Sequence, residues 1–292
     1  MIKPVILSMG EVLWDLFSDG ERFGGAPANF ACHAAILGAD IAIVSAVGDD
    51  RRGCEALEIL CGFGIDVGFV RVIPDSPTGT VTVALNETGK PTYSIHKDVA
   101  WDRIAWVDEL ERKVKRADAI CFGTLGQRSE LSRNTIRRCL EIARDLGIPR
   151  LIDINLRPPY FDAACIRDSI ALASILKLSD EELPEVCTAC GIPNGESEEK
   201  HLRQLRESQN LDMVVMTCGA NGAALVTPDR VIHQPGIKVE VVDTVGAGDS
   251  FAAAFLVGLL CGKPHETNLL KACEIAAAVC AYSGAVPSHH SR

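Results

Sequence analysis

The sequence predicts an α/β layered fold, with a mainly parallel central sheet flanked by helices and a small β-ribbon lid. Three observations carry this expectation. Short apolar runs alternate with longer segments of helical spacing, and several of those segments stop at a glycine. One stretch, about residues 67–98, shows period-two alternation and turn residues with no helix between them. Strand and helix alternation of this kind is the pattern of a sheet covered by helices.

Taken in order, residues 5–9, 41–47, 119–122, 150–153, 175–178 and 213–217 read as buried strands. Each is nearly continuous in apolar character, as a parallel sheet covered on both faces requires. Residues 27–37 have helical spacing and precede Gly38; residues 51–61 end at Gly62, and residues 129–146 at Gly147. Glycine supplies the left-handed residue that commonly closes a helix. The third of these segments carries Leu131, Ile136, Leu140 and Ile142 on one stripe. Residues 251–260 and 269–280 are apolar almost all round, which predicts buried helices. The ribbon is expected over residues 67–73 and 78–95, punctuated by Pro74-Asp75-Ser76-Pro77 and Asn86-Glu87-Thr88-Gly89. With no internal repeat or linker, residues 1–292 are expected to form one domain. The 67–98 ribbon is its candidate lid or dimer surface.

Composition narrows the function. At 47% apolar and 23% charged residues, the chain is not of the disordered class. The net charge of −10 argues against a nucleic-acid groove. The longest strongly apolar run, residues 251–261, is about half of what a membrane helix needs. Met1-Ile2-Lys3-Pro4 and the acidic Glu11 and Asp15 do not make a signal peptide, so a cytoplasmic protein is expected. The 12 cysteines are then expected to be reduced. Cys187-Thr188-Ala189-Cys190 has no second pair for a zinc ribbon, and reads as helix residues rather than a redox pair. The 7 histidines form no metal-spaced cluster, and His289-His290 reads as solvated tail.

The chemistry concentrates in Asp243-Thr244-Val245-Gly246-Ala247-Gly248-Asp249, directly before an apolar helix. A glycine-rich turn that opens a helix presents unpaired N–H groups at the positive end of the helix dipole, where a phosphate can approach closely. Asp249 is then a carboxylate beside an anion site, able to take a proton from an attacking hydroxyl. On local physics alone it reads equally well as a helix cap.

This motif is similar to the C-terminal signature of the ribokinase-like (pfkB) carbohydrate kinases. Gly24-Gly25-Ala26-Pro27-Ala28-Asn29-Phe30-Ala31, with Leu37-Gly38-Ala39, Val47-Gly48-Asp49-Asp50 and Gly53, resembles the N-terminal signature of the same family. The two motifs stand in the right order across nearly the whole chain. There is no Walker A motif and no Rossmann glycine pattern after the first strand.

The resemblance implies a ribokinase-like fold, ATP and Mg²⁺ as cofactors, K⁺ as a further ion, and a sugar as substrate. It implies Asp249 as general base and Gly246, Ala247 and Gly248 as the anion hole, donors that stabilise growing charge in phosphoryl transfer. Asp15, Gly25 and Asn29 match sugar-binding positions. Read alone, Asp15 is a turn carboxylate and Asn29 a polar helix position. Thr217-Cys218-Gly219-Ala220-Asn221-Gly222 resembles the nucleotide loop, which assigns Thr217, Gly219 and Gly222 to ATP. Lys177 is assigned with them, and Ala272 on the small apolar helix expected to cover the adenine. Ser179-Asp180-Glu181-Glu182 departs from the family's Asn-x-x-Glu by a serine, but keeps Glu182 to order Mg²⁺ through water. The same residues would also serve as a helix N-terminus. Asp243, Val245, Val279, Gly284 and Ser288 map to a monovalent-cation site built mostly from backbone carbonyls.

Asp153-Ile154-Asn155-Leu156-Arg157 and Asp98-Val99-Ala100-Trp101-Asp102 resemble the fructokinase-like branch, which makes fructose the expected acceptor. Arg157 is a candidate clamp on a phosphate or substrate oxygen, and alternatively a surface arginine. Trp101 reads equally as core or substrate platform. Gln127, in Gly123-Thr124-Leu125-Gly126-Gln127-Arg128, is a candidate sugar contact at another strand exit. Other acceptors of the same family are 2-keto-3-deoxygluconate, ribose, a nucleoside or a sugar phosphate. A non-catalytic sugar- or nucleotide-binding regulator is the reading of another class.

Overall fold

The computed structural model describes residues 3–85, 91–193 and 195–287. The expected turn Asn86-Glu87-Thr88-Gly89, the cation-site residue Ser288 and the pair His289-His290 lie outside the described residues. In chain order the elements are β1 (Val5–Met9), β2 (Leu13–Phe17), β3 (Gly20–Gly24), α1 (Ala26–Ile36), β4 (Asp40–Gly48), α2 (Arg51–Gly62) and β5 (Asp66–Ile73). Then come β6 (Gly79–Leu85), β7 (Pro91–Ile95), α3 (Asp108–Val114), β8 (Ala119–Gly123), α4 (Glu130–Asp145), β9 (Arg150–Asp153), α5 (Ala163–Ala171) and β10 (Ile175–Ser179). The chain closes with α6 (Leu183–Ala189), α7 (Glu198–Ser208), β11 (Met213–Thr217), β12 (Gly222–Val226), β13 (Val231–Pro235), α8 (Ala247–Leu260) and α9 (His265–Val279).

Nine strands form one sheet in the order β13-β12-β11-β10-β9-β8-β1-β4-β5. Its members run parallel from β11 to β5, and β12 and β13 add an antiparallel edge. Helices cover both faces. Ile136 and Leu140 of α4, Ile166 of α5, Val186 of α6 and Leu205 of α7 pack on one face. Phe30 of α1, Leu60 of α2, Phe251 and Phe255 of α8 and Leu269 of α9 pack on the other. Being covered on both sides is why the strands read as continuous apolar runs. Helix α8 lies between α1 and α9, so its apolar surround is satisfied. Phe251 and Phe255 stack at 6.3 Å and are 2% and 0% exposed; each such burial contributes about 1.5–3 kcal/mol.

Local signals set the helix starts. Asp50 accepts from the Gly53 amide at the start of α2, and Asp162 accepts from the Cys165 amide at the start of α5. Pro27 sits in the first turn of α1, where its missing N–H does no harm.

The second sheet is composed differently from the expected 67–98 ribbon. Its order is β3-β2-β6-β7, and β5 belongs to the edge of the main sheet, parallel to β4. The reason is physical. An edge strand is covered unevenly, so β5 alternates like a ribbon strand. The hairpin β2-β3 was not expected, although its turn Ser18-Asp19 before Gly20 carried a signal.

The site is placed by the topology. From β1 the chain passes to β4 on one side, and later strands add from β8 on the other. Ligands of open α/β sheets gather at such a switch point, beyond the carboxyl ends of the strands. Among the described residues no helix is long and apolar enough to cross a membrane.

Candidate active site

A cleft opens at this switch point. Glu11 follows β1, Gly123, Thr124 and Leu125 close β8, and Asp153 and Asn155 close β9. Ala26, Pro27 and Phe30 of α1 and Asp249 and Ala252 of α8 complete its wall. Asn155 holds a left-handed backbone, φ 40°, which turns the chain sharply out of β9.

The glycine turn starts α8. Gly246 is its N-cap at φ 79°, with no side-chain cap. A Cβ there would lie 2.6 Å from the Ala285 backbone, so both conformation and space require glycine. Asp249 stands in the first turn and is not the cap. Its Oδ2 accepts a 2.8 Å hydrogen bond from Asn29 Nδ2, and the carboxylate is 9% exposed. Burial pushes the Asp249 carboxyl above its ordinary range, against the pull of the Asn29 bond, Lys177 and Arg157.

Below the turn lies a buried ion pair. Lys177 Nζ donates to Asp153 Oδ2 at 2.8 Å. Burial opposes the lysine's charge, but Asp153, with Glu182 and Asp249, holds its pKa above the ordinary value. A Cβ on Gly248 would stand 3.5 Å from Lys177 Nζ, so the ammonium lies directly under the glycine turn. A cation at that place favours negative charge on the turn.

Asp15 on β2 and Arg157 complete the approach to the cleft. Burial raises the Asp15 carboxyl to about 6, with Arg157 and Arg22 opposing. Arg157 lies in the electrostatic reach of Glu11, Asp15 and Asp249. Its Nη1 donates only to the Leu156 carbonyl, and it makes no ion pair among the described residues. Gly25, φ 104°, heads α1, and a Cβ there would meet the Glu11 carbonyl at 2.5 Å. Asp249, Gly246, Ala247, Gly248, Arg157, Asp15, Gly25, Asn29 and Lys177 therefore converge.

Gln127 does not join them. It is wholly buried, its amide donates to the Gly123 carbonyl and Ser169 Oγ, and its Oε1 accepts from Arg137. The strand-exit position was right, but the side chain turns inward because three partners satisfy it there. Trp101 is core: it is 0% exposed, and the Arg128 guanidinium stacks 3.8 Å from its ring centre.

The loop of Thr217, Gly219 and Gly222 follows β11. Gly219 has φ 51°, Cys218 N donates to the Gly222 carbonyl, and Thr217 Oγ1 stands 3.5 Å from the Leu178 carbonyl. Ala272 is 0% exposed, so its methyl packs in the core and offers no open surface to a base. The half-buried residues of α9 nearest its open side are Ile275, Ala276 and Ala277.

Glu182 accepts from the Leu156 amide, the Ser179 amide and Ser179 Oγ. A carboxylate offers about four lone-pair positions, so these bonds leave about one. That fits contact with Mg²⁺ through water and not an inner-sphere ligand. Asp243 accepts from Val245 N through Oδ1 and Gly284 N through Oδ2, and the Asp243 amide donates to the Cys280 carbonyl. These bonds bring Asp243, Val245 and Gly284 together beside the end of α9, where Val279 stands. The described residues contain no cluster of three or more His, Cys, Asp or Glu suited to a metal.

Three residues of the site escaped the sequence reading. Glu11 is 4% exposed with Oε2 unpartnered, and burial raises its carboxyl to about 7. Asp153 pairs with Lys177, and His33 bonds the Ala285 carbonyl. The available signal was an acid at the exit of a buried strand, and a histidine four residues after Asn29. Cys187 and Cys190 are free thiols that burial pushes up, Cys187 to about 11, which removes the thiolate a redox pair needs.

Residues 6–292 match the family described as pfkB family carbohydrate kinase. A fructokinase of Klebsiella pneumoniae is 30% identical over 261 residues, covering 86% of this chain and 83% of the relative. An aminoimidazole riboside kinase of Salmonella typhimurium is 31% identical over 246 residues, covering 81% and 73%. The structure of a fructokinase from Xylella fastidiosa with bound ATP superposes with a TM-score of 0.85 at 21% identity, covering 97% of this chain and 94% of that one.

Proposed function

Because the chain belongs to the pfkB family of carbohydrate kinases, we propose that it transfers the γ-phosphoryl group of ATP to fructose, forming fructose 6-phosphate. The observation that carries this reading is Asp249, buried at the start of α8 behind the Gly246–Gly248 turn and oriented by Asn29. Asp15, Gly25 and Asn29 bind the sugar and direct its primary hydroxyl at the γ-phosphorus. Asp249 takes the hydroxyl proton as the oxygen attacks in line. The 246–248 amides, with Lys177 beneath them, stabilise the charge that develops on the equatorial oxygens. Arg157 clamps the phosphate from the open side.

Thr217, Gly219 and Gly222 form the nucleotide loop, and the open face of α9 covers the adenine. Glu182 would hold the hydration shell of Mg²⁺, which would supply positive charge to the nucleotide phosphates. Asp243, Val245, Val279 and Gly284 offer carbonyls to K⁺. The four-stranded sheet acts as the lid that excludes water.

Charge supports a neutral acceptor. Among the described residues, Glu11, Asp15 and Asp249 face one unpaired cation, Arg157, while Lys177 is paired with Asp153. A sugar already carrying a phosphate would meet a net negative wall. Twelve unpaired cysteines fit a reducing cytoplasm. The outer strands β3 and β7 of the lid suit pairing with a second copy; light scattering then gives about twice the chain mass of 31.3 kDa.

The test is ADP release from MgATP against sugars, nucleosides and sugar phosphates, with and without K⁺. Selective turnover with fructose is expected. Turnover with a riboside would follow the Salmonella relative and replace the acceptor, leaving the mechanism intact. Ligand binding without any turnover would make the protein a regulator.

A further inference from the structure

We infer that His33 is a positioning residue that couples the sugar-binding helix to the anion-hole turn. The inference rests on the kinase reading above. His33 is 4% exposed on α1, four residues after Asn29 and so on the same face. Its Nε2 lies 2.8 Å from the Ala285 carbonyl oxygen, a buried contact that spans 252 residues of chain. A carbonyl can only accept, so Nε2 carries the proton and donates. Burial keeps the imidazole neutral, which leaves that single tautomer to make the bond.

Ala285 is the backbone against which Gly246 packs; a Cβ at 246 would stand 2.6 Å from both its Cα and its carbonyl oxygen. The next residue back, Gly284, is tied through Asp243 to Val245. One helix therefore holds both halves of the catalytic machinery. Asn29 sets the carboxylate of Asp249, and His33 sets the strand of backbone that shapes the 246–248 turn. Helix α1 is itself anchored, since Ser8 Oγ donates to the Pro27 carbonyl at 2.7 Å. Movement of α1 on sugar binding would thus reach the anion hole directly, through one hydrogen bond.

Removing the donor leaves a buried carbonyl unpaired and frees the 284–286 backbone. For His33→Leu, kcat is expected to fall roughly tenfold to a hundredfold, with KM for the sugar changed less than threefold, because the turn acts on the transition state. Glutamine places an amide nitrogen near the position of Nε2, so His33→Gln is expected to recover kcat to within about fivefold. Hydrogen exchange is a readout independent of turnover. Amides of 243–249 and 282–287 are expected to exchange faster in His33→Leu and at the wild-type rate in His33→Gln. Wild-type kcat and exchange in His33→Leu would overturn the inference. So would a loss of turnover, affinity and thermal stability together that glutamine does not restore. A wild-type enzyme that turns over no acceptor defeats the kinase reading, and the exchange comparison still decides the role of His33.

Discussion

The floor of the cleft and the four-stranded sheet beside it both present carboxylates, but they hold them by opposite means. On the floor, Asp249, Asp153 and Glu11 are each at most 9% exposed, and the first two have buried partners in Asn29 and Lys177. In the sheet, Asp15 is only partly buried, and Glu21 of β3 reaches Arg51 and Arg52 of α2 through exposed ion pairs. Charge is therefore amplified on the floor, where the carboxylates are buried, and screened at the exposed Glu21 pairs of the sheet. The first arrangement suits chemistry, and the second suits the lid role proposed for the sheet. The sheet is tied at its root by several contacts, among them Thr78 with Asp50 just before β6 and the Tyr160 hydroxyl with the Ile95 carbonyl of β7. Arg128 makes a two-point ion pair with Asp102, donates to the His96 carbonyl after β7 and stacks on Trp101.

Four substitutions break or sharpen this contrast, in order of expected effect. Lys177→Met leaves Asp153 buried and unpaired, and should lower unfolding stability by about 3–5 kcal/mol in denaturant melts. Glu11→Gln tests the floor through pH. Burial raises the folded carboxyl from 4.5 to about 7, so the native state binds a proton that the unfolded state has lost. Glu11 should contribute a fall of about 3 kcal/mol to wild-type stability as pH rises from about 4.5 to 7, and the glutamine variant should lack that share while keeping the slope from Asp15, Asp153 and Asp249. A wild-type curve that runs parallel to the variant's would show that Glu11 is better solvated than its surroundings imply.

Asp15→Asn tests the proposed sugar contact in the sheet. It should raise KM for the acceptor about tenfold, a change of about 1.4 kcal/mol, and leave kcat nearly unchanged. Glu21→Gln should be the mildest, with no measurable shift in thermal midpoint at physiological salt, because exposed pairs are screened. A large shift would make the Glu21 pairs an anchor of the sheet beside the Arg128 contacts.

Legibility in the sequence divides along the same line. The six strands expected from apolar runs all occur in the main sheet, because burial on both faces imposes an unbroken pattern. The second sheet was misassigned, because a half-covered strand such as β5 and a ribbon strand alternate alike. The glycine turn was legible from its backbone demands, and the family resemblance brought forward Asp249 and Asn29. Sequence spacing could not bring forward Glu11, Asp153 or His33, whose roles arise from partners far away in the chain, 252 residues in the case of His33. Gln127 and Ala272 show the reverse failure: each sits on the right element, but its side chain is spent in the interior.

The central claim is that Asp249 is the base, and one comparison tests it most directly. Wild-type and Asp249→Asn proteins are assayed for phosphoryl transfer to the preferred sugar, with sugar and ATP binding measured in parallel. The expected result is a loss of turnover of about 10²–10⁴-fold with both ligands still bound. Full turnover by the asparagine variant would contradict the account and leave the carboxylate as nothing more than a partner for Asn29.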